Sequence, residues 1–260
     1  IGAFCLTEVQ AGSDSFNVKT TAELDGDEWV INGDKMWITN GGLADIISVF
    51  ARTPKGVTAF VVETSMPGFT AGPPEKKMGI RGSTTNAITF DNVRVPKNNM
   101  IGTEGRGFLI AMKTLDAGRL GLGAATLGAA KEMLEMSSRY AKERIQFDHP
   151  ISHFQAIQFM LAEMATTIYA MESIIYRTAV DYDLKKNISM HSAMVKLFCS
   201  EGLDKVVDFA VQIHGGMGYS REYPIERFYR DSRINKIFEG TNEIQKGIIA
   251  RDILKHNGVM

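Results

Sequence analysis

The sequence predicts an α+β protein, with an N-terminal β-barrel or sandwich-like domain over residues 1–98 and an antiparallel four-helix-bundle domain over residues 99–260. Two observations predict this class. The first part contains period-two and β-branched runs separated by turn dipeptides, whereas the second part spaces its apolar residues three and four apart. With 260 residues, 44% of them apolar, the chain is long enough to bury a substantial core.

The β domain is predicted from short strands between turn signals. Strands are expected over residues 3–7, 16–24, 28–31, 34–39, 46–52, 58–63 and 86–95. The turn signals are Asp25-Gly26, Asn32-Gly33, Asn40-Gly41-Gly42 and Gly72-Pro73-Pro74. Pro96 ends the last strand, because proline cannot donate to a sheet ladder.

The helical domain follows a turn over residues 102–107. Helices are expected over residues 105–145, 152–184, 188–214, 224–230 and 242–255. Such long helices suit an antiparallel bundle.

Composition and charge give no support to several classes of function. A net charge of −1 gives no electrostatic support for binding nucleic acid or an anionic membrane surface. No apolar run reaches the eighteen or so residues of a spanning helix, and no leader pattern opens the chain, so an intracellular protein is expected. Cys5 and Cys199 are isolated in apolar surroundings, which favours buried free thiols over a disulfide or metal site.

Glu239 is the strongest candidate for a catalytic group, because it stands between the apolar Ile237-Phe238 and Gly240, just before a helix. Desolvation there would raise the pKa of the carboxyl group towards neutrality, which suits a base that takes a proton from carbon. Asn242 could cap the new helix, and Gly240 would let a ligand approach the backbone. From this segment alone, a helix-terminal carboxylate that is solvated or ion-paired explains the pattern better than a catalytic base does.

Two further segments carry polar groups among small residues. Asp116 and Arg119 stand three apart in a Gly/Ala-rich helix, where a structural ion pair explains them about as well as substrate binding does. The segment from Gln212 to Gly218 ends a helix with three glycines, which could cradle a phosphate or simply stop the helix.

Taken together and in order, these segments resemble the acyl-CoA dehydrogenase family. The motifs are Phe4-Cys5-Leu6-Thr7-Glu8, Ala11-Gly12-Ser13-Asp14, Met36-Trp37-Ile38-Thr39-Asn40-Gly41, Glu143-Arg144-Ile145-Gln146-Phe147, Gln155, the Gln212 to Gly218 loop and Phe238-Glu239-Gly240-Thr241. The resemblance implies a flavoenzyme that converts an acyl-CoA thioester to a trans-2-enoyl-CoA. Glu239 would take the α proton while the β hydrogen leaves as hydride to N5 of FAD. Some relatives carry the base just before the arginine, but this chain has Gly118 there, and glycine cannot act as a base.

The resemblance also assigns roles to individual residues. Those implied to bind the cofactor are Phe4, Leu6, Thr7, Gly12, Ser13, Trp37, Ile38, Thr39, Arg144, Phe147, Gln155, Gln212, Gly215, Gly216, Thr241 and Glu243. Those implied to contact substrate are Ser13, Asp116, Arg119 and Gly240. The set from Arg144 to Gly216 would hold the ADP half of an FAD bound to the neighbouring subunit, which requires a homodimer or homotetramer.

The family pattern further implies an electron-transferring flavoprotein as electron acceptor, in the cytoplasm of a bacterium or the mitochondrial matrix of a eukaryote. An acyl-CoA oxidase, reoxidised by oxygen, and a non-catalytic acyl-CoA- or flavin-binding fragment are the alternatives. Two departures from the pattern stand out. Val9 replaces a usual proline, which loosens one turn but removes no ligand. The family's N-terminal helical domain is absent, so these 260 residues alone are expected to bind FAD weakly and to turn over poorly. Segments typical of very-long-chain and of short/branched-chain enzymes both occur, with a slight balance towards medium or long straight chains.

Overall fold

The computed structural model describes residues 1–255, so the last five residues of the predicted helical domain lie outside the described range. The chain forms two compact units, Ile1–Thr114 and Leu115–Met260. Within residues 1–255, no helix combines the length and the apolar character needed to cross a membrane.

The first unit is built from eight strands. They are β1 (Gly2–Cys5), β2 (Thr21–Asp25), β3 (Glu28–Thr39), β4 (Ile46–Thr53), β5 (Gly56–Glu63), β6 (Phe69–Ala71), β7 (Thr85–Pro96) and β8 (Met100–Ile101). They form one sheet in the order β6-β7-β3-β2-β4-β5-β8, with β1 added in parallel to β4. Its core holds alternate residues of the long strands, including Ile31, Val49, Phe60, Val62 and Val93.

The predicted turn at Asn32-Gly33 is wrong, because β3 runs through it as one strand of 12 residues. Its pairing with β7 instead shifts register between Ile31 and Gly33, which is a β-bulge. Gly33 has φ 140°, and a Cβ there would lie 2.7 Å from the Cα of Thr20. The close approach of Thr20 therefore requires glycine at this position.

Two other strand predictions need correction. The strand expected over 16–24 begins only at Thr21, because Ser15–Asn17 form a 3-10 helix. The short β6, which pairs with β7 as Thr70 opposite Thr89, is absent from the prediction because it has only three residues.

A fully buried ion pair ties β3 to the segment that follows β1. The Lys35 ammonium donates to Glu8 Oε1 at 2.8 Å, to the Phe50 carbonyl at 2.6 Å and to the Leu6 carbonyl at 3.0 Å. Glu8 also accepts the Thr20 N–H at 3.0 Å. Burial of two charges is tolerated because each is hydrogen-bonded on several sides.

The second unit is helical. Its elements are α1 (Gly107–Glu143), the hairpin of β9 (Ile145–Gln146) and β10 (His149–Pro150), α2 (Gln155–Asp183), α3 (Ser189–His214), α4 (Gly216–Tyr219), α5 (Ile225–Ser232) and α6 (Asn242–Lys255). The division between the two units falls inside α1. The five predicted helices are present, together with the short α4.

The helices pack as a bundle. Contacts between α2 and α3 join late residues of one to early residues of the other, such as Asp181 with His191 and Glu163 with Lys205, so the two helices are antiparallel. Gly123 of α1 packs closely against Val195 and Ile175. A Cβ at this position would lie 2.3 Å from Val195 Cγ1, so the close approach requires glycine. The predicted class, a β domain followed by a helical bundle, is confirmed.

Candidate active site

Glu239 occupies a turn between the 3-10 helix Arg233–Lys236 and α6. It has φ 55° and the next residue, Gly240, has φ 89°. Left-handed backbone is unfavourable for a residue with a Cβ, and non-glycine residues of this kind concentrate at functional sites. The turn therefore carries conformational strain at the residue predicted to be the base.

The backbone of this turn is held by side chains of two helices. The Glu239 carbonyl accepts Arg119 Nε at 3.1 Å and Gln245 Nε2 at 3.3 Å. Gln245 also donates to the Gly240 carbonyl at 2.9 Å. A Cβ on Gly240 would lie 2.7 Å from Gln245 Nε2, so glycine is required for this bond as well as for its positive φ.

The Glu239 carboxylate lies against the backbone of α1 at Gly118. A Cβ on Gly118 would be 3.1 Å from Oε2 and 3.3 Å from Oε1. Oε2 is buried and has no hydrogen-bond partner among the described residues. Burial raises the pKa of the carboxyl group, while Arg119 and Lys196 oppose that rise, so desolvation has the larger effect.

Asp116 and Arg119 form an ion pair at 3.0 Å on α1, with the arginine 3% exposed. Ser189 and Ser192 of α3 donate to the same Asp116 oxygen at 3.4 Å. Burial still raises the pKa of Asp116. Since Arg119 binds both Asp116 and the Glu239 carbonyl, its guanidinium links α1 to the turn that carries Glu239.

The sequence did not reveal Lys196, which lies beside this site on α3. Its side chain is fully buried, and its ammonium donates to Asn242 Oδ1 at 2.8 Å. Asn242 also donates to Ser200 Oγ at 3.0 Å. The sequence signal that could have found it is a lysine at position 196 on the same helix face as residues 192, 199 and 203, all of which are buried.

The cap of α6 also differs from the prediction. Thr241, not Asn242, caps the helix, because its Oγ1 accepts the N–H of Ile244 at 3.3 Å. Asn242 instead points into the bundle towards Lys196 and Ser200. Glu243, in the first turn of α6, is exposed.

The residues predicted to hold the ADP half of FAD gather at one end of the bundle. Arg144 directly precedes the β9-β10 hairpin and Phe147 lies in its turn, where Phe147 contacts Phe154 beside Gln155 with ring centroids 5.9 Å apart. Tyr140 near the end of α1 stacks on His214 near the end of α3 at 4.4 Å. The loop with Gln212, Gly215 and Gly216 therefore belongs to the same end. Gln212 lies about 18 Å along α3 from Ser200, which separates this set from the Glu239 turn.

The backbone at this end of the bundle is accessible to a ligand at two glycines. Gly215 has φ 56°, and neither it nor Gly216 has any atom within 4 Å of the position a Cβ would take. Arg144, Phe147, Gln155 and Gln212 are all exposed. Exposed amides and an exposed guanidinium are groups suited to phosphate.

The flavin residues predicted in the first unit lie on two neighbouring segments. The Met36 N–H donates to the Thr7 carbonyl at 2.9 Å, which joins the two segments. Trp37 has φ 61° at a second register shift of β3 and is 56% exposed. The side chains of Leu6 and Ile38 are buried in the core, so only their backbones could meet a ligand.

The remaining predicted flavin residues of the first unit differ in exposure. Gly12, Ser13 and Thr39 are exposed, while Phe4 and Thr7 are partly buried. A Cβ on Gly12 would meet no atom within 4 Å. The Gly12-Ser13 backbone is therefore open to a ligand.

A buried carboxylate with a raised pKa, on a strained turn of the helical unit, marks a candidate active site. The chain belongs to the acyl-CoA dehydrogenase family, a family of FAD-dependent oxidoreductases. The family model "Acyl-CoA dehydrogenase, middle domain" matches residues 3–93, and the family model "Acyl-CoA dehydrogenase, C-terminal domain" matches residues 105–254.

Individual relatives agree with this assignment. Acryloyl-CoA reductase (NADH) of Anaerotignum propionicum is 47% identical over 98% of this chain and 66% of its own length. The structure of butyryl-CoA dehydrogenase from Megasphaera elsdenii superimposes with a TM-score of 0.96 at 44% identity, over 98% of this chain and 68% of that one. An acyl-CoA dehydrogenase from Bacillus anthracis, solved in complex with FAD, gives a TM-score of 0.93 at 43% identity, over 98% of this chain and 48% of that one. The chain thus spans about half to two thirds of these relatives' lengths.

Proposed function

We propose that this chain supplies the base and the flavin-binding surfaces of an FAD-dependent acyl-CoA dehydrogenase, which converts an acyl-CoA thioester to a trans-2-enoyl-CoA. One observation carries the proposal. Glu239 presents a buried carboxylate oxygen without a partner among the described residues, on a backbone fixed by Arg119 and Gln245. A carboxylate that is merely structural would be expected to use that oxygen in a hydrogen bond.

Glu239 acts by taking the α proton of the thioester. The rise in its pKa makes the carboxylate a better proton acceptor than a solvated one, and the turn fixes the direction from which it approaches. Among the described residues, no acceptor takes the Glu239 backbone N–H. That N–H can therefore donate to the thioester oxygen as negative charge develops there.

The surfaces described above fit FAD. In the first unit, the exposed Trp37 indole offers a flat apolar face, and Thr7, Ser13 and Thr39 offer hydroxyl groups. In the second unit, Arg144 and the open Gly215-Gly216 backbone would hold the ADP half of an FAD bound to a neighbouring subunit. FAD, when bound, supplies the acceptor for the hydride that leaves the β carbon.

The roles proposed for Asp116 and Arg119 follow from their contacts. Arg119 is almost completely buried and binds the Glu239 carbonyl, so it orients the base rather than the acyl chain. Asp116 is less buried and keeps one carboxylate oxygen available to a substrate group. Gly240 leaves the backbone beside the base free of a side chain.

The substrate is a CoA thioester, and the named relatives include an enzyme of butyryl-CoA and one of acryloyl-CoA. They favour short acyl chains over the longer ones that the sequence slightly favoured. We further propose an electron-transferring flavoprotein as electron acceptor, a dimeric or tetrameric assembly, and a cytoplasmic or mitochondrial-matrix location. A structure named for an electron-transferring flavoprotein, from Acidaminococcus fermentans, contains a chain 45% identical to this one, which supports the first of these.

The test is Glu239→Gln, which keeps the shape of the side chain and removes the base. The FAD-loaded protein is mixed anaerobically with butyryl-CoA and longer acyl-CoAs, and flavin reduction is followed by stopped-flow absorbance. We expect FAD and ligand binding to persist while reduction slows by about three orders of magnitude or more. Glu132→Gln, at an exposed carboxylate of α1, is the control and should reduce normally.

Unchanged reduction in Glu239→Gln would show that another group takes the proton. Admitting air to the reduced protein distinguishes an acyl-CoA oxidase from a dehydrogenase. Fast reoxidation favours an oxidase, whereas slow reoxidation in air and fast reoxidation by an electron-transferring flavoprotein favour the dehydrogenase. Retained ligand binding with no reduction in the unaltered protein would leave the non-catalytic binding fragment as the explanation.

A further inference from the structure

Lys196 is a charged residue in the middle of an apolar helix face. Its neighbours along α3 on that face, Ala193, Cys199 and Leu203, are buried in or beside the bundle core. The lysine side chain is itself 0% exposed. An ammonium group is costly to bury, and proteins keep one there only where polar or charged partners surround it.

The hydrogen-bond partner of Lys196 is in the helix that directly follows the Glu239 turn. The ammonium donates to Asn242 Oδ1 at 2.8 Å, and Ser200 Oγ donates to the same oxygen at 3.2 Å. Asn242 is the first residue of α6 and lies three residues after Glu239. Lys196 therefore fixes the far side of this turn, whereas Arg119 and Gln245 fix the Glu239 carbonyl.

The charges around Lys196 come from α1, α3, α6 and the turn before α6. Arg119 of α1 faces it as a like charge, while Glu239, Glu243 and Glu201 face it as opposite charges. Burial and Arg119 together lower the pKa of Lys196 to about 8, against the effect of the three carboxylates. In the other direction, the Lys196 charge lowers the pKa of Glu239, against the effect of burial.

Resting on the proposed function, we propose that Lys196 is a positioning residue for the base: its bond to Asn242 fixes the turn, and its buried charge favours the ionised Glu239 carboxylate. A base is useful only in its ionised form, and burial alone disfavours that form. Lys196 supplies a positive charge from the α3 side without occupying the carboxylate in a direct hydrogen bond.

Three variants test the proposal by the pH profile of flavin reduction under single-turnover conditions. Lys196→Met removes the charge at similar length, Lys196→Arg keeps the charge, and Lys205→Met makes the same chemical change at an exposed lysine of α3 that pairs with Glu163. We expect Lys196→Met to move the acid limb of the profile to higher pH. At a fixed pH on that limb the rate falls about tenfold for each unit of the shift.

We expect Lys196→Arg and Lys205→Met to leave the acid limb where it lies in the unaltered protein. An unmoved limb in Lys196→Met would overturn the proposal. An equal shift in Lys196→Met and Lys196→Arg would do the same, since it would make the effect one of packing alone. A structural role without charge would lower stability and would not separate these two variants.

A second measurement uses the unaltered chain, so it requires neither turnover nor a substituted variant. The ¹³C resonance of the Glu239 carboxyl carbon, followed over pH in the unaltered chain, should show its own titration and a further step near pH 8 as Lys196 loses its proton. A single step would overturn the proposed coupling. Because this titration requires no acyl-CoA, it can succeed or fail independently of the Glu239→Gln reduction test.

Discussion

Gly118→Ala should make the protein more stable and slower, because the glycine lies in a helix and also supports the base. In the interior of α1, replacing glycine by alanine stabilises a helix by about 1 kcal/mol. The new methyl group would, however, lie 3.1 Å from Glu239 Oε2, where ordinary contacts begin at 3.4 Å. The carboxylate must therefore retreat by about 0.3–0.5 Å to reach a normal separation.

The loss of rate caused by this displacement of the carboxylate can be estimated from the general effect of misplaced catalytic groups. A misplacement of about 1 Å costs on the order of 100-fold, so 0.3–0.5 Å corresponds to about 4- to 10-fold. The expected midpoint of thermal unfolding rises by about 2–4 °C for a gain of 1 kcal/mol in a chain of this size. Stability and rate should thus move in opposite directions.

Gly121→Ala is a matched control three residues further along α1. A Cβ there would meet no atom within 4 Å, so this variant should gain at least as much stability and keep its rate. Single-turnover flavin reduction by an acyl-CoA gives the rate, and urea unfolding gives the stability. Equal reduction rates in the two variants would refute the argument that Gly118 supports the carboxylate.

The other predictions concern buried ionisable groups. Lys35→Met should destabilise the chain by about 3–5 kcal/mol, because it leaves Glu8 buried without its cation, and adding Glu8→Gln should recover part of that loss in urea unfolding. A double variant no more stable than the sum of the two single changes would contradict this coupling. Because folding raises the pKa of Glu239, the native state disfavours its ionised form, so Glu239→Gln should be more stable than the unaltered chain at pH 8. That advantage should vanish as the pH falls below the unperturbed value of 4.5, and an advantage that persists there would have another cause. Burial raises the pKa of the Cys5 and Cys199 thiols to about 12, so neither should react with a maleimide at pH 8 until the chain unfolds, and rapid labelling of the native protein would contradict the burial.

Local patterns predicted most of the helices and strands because the spacing of apolar residues shows which face of each element is buried. The spacing of apolar residues located α3 and α6 to within one residue at each end, and α2 to within three residues at its start and one at its end. The error at Asn32-Gly33 arose because the dipeptide suits a hairpin turn and a bulge equally well. What decides between them is the approach of Thr20, which is 2.7 Å from the missing Cβ and thirteen residues earlier in sequence.

The candidate site was predictable to the extent that it is one segment. Glu239 and Gly240 stand together in a short motif, so the sequence shows both. Arg119 binds the Glu239 carbonyl across 120 residues, and Lys196 binds Asn242 across 46. Nothing local to Lys196 indicates its partner, since its position in a buried stripe shows that it is unusual and not what it contacts.

The strain at Glu239 is consistent with its proposed role. A left-handed conformation costs a residue with a Cβ about 1–2 kcal/mol, and glycine would adopt it freely. Two donors on the Glu239 carbonyl, from α1 and α6, can offset that cost at about 0.5–1.5 kcal/mol each. Because those bonds fix the carbonyl, they also fix the direction of the Cα–Cβ bond, which points the carboxylate at the bare backbone of Gly118. The same contacts that make the strained turn tolerable therefore set the position of the carboxylate, so a change at Arg119 or Gln245 should reduce both the stability of the turn and the rate of proton transfer.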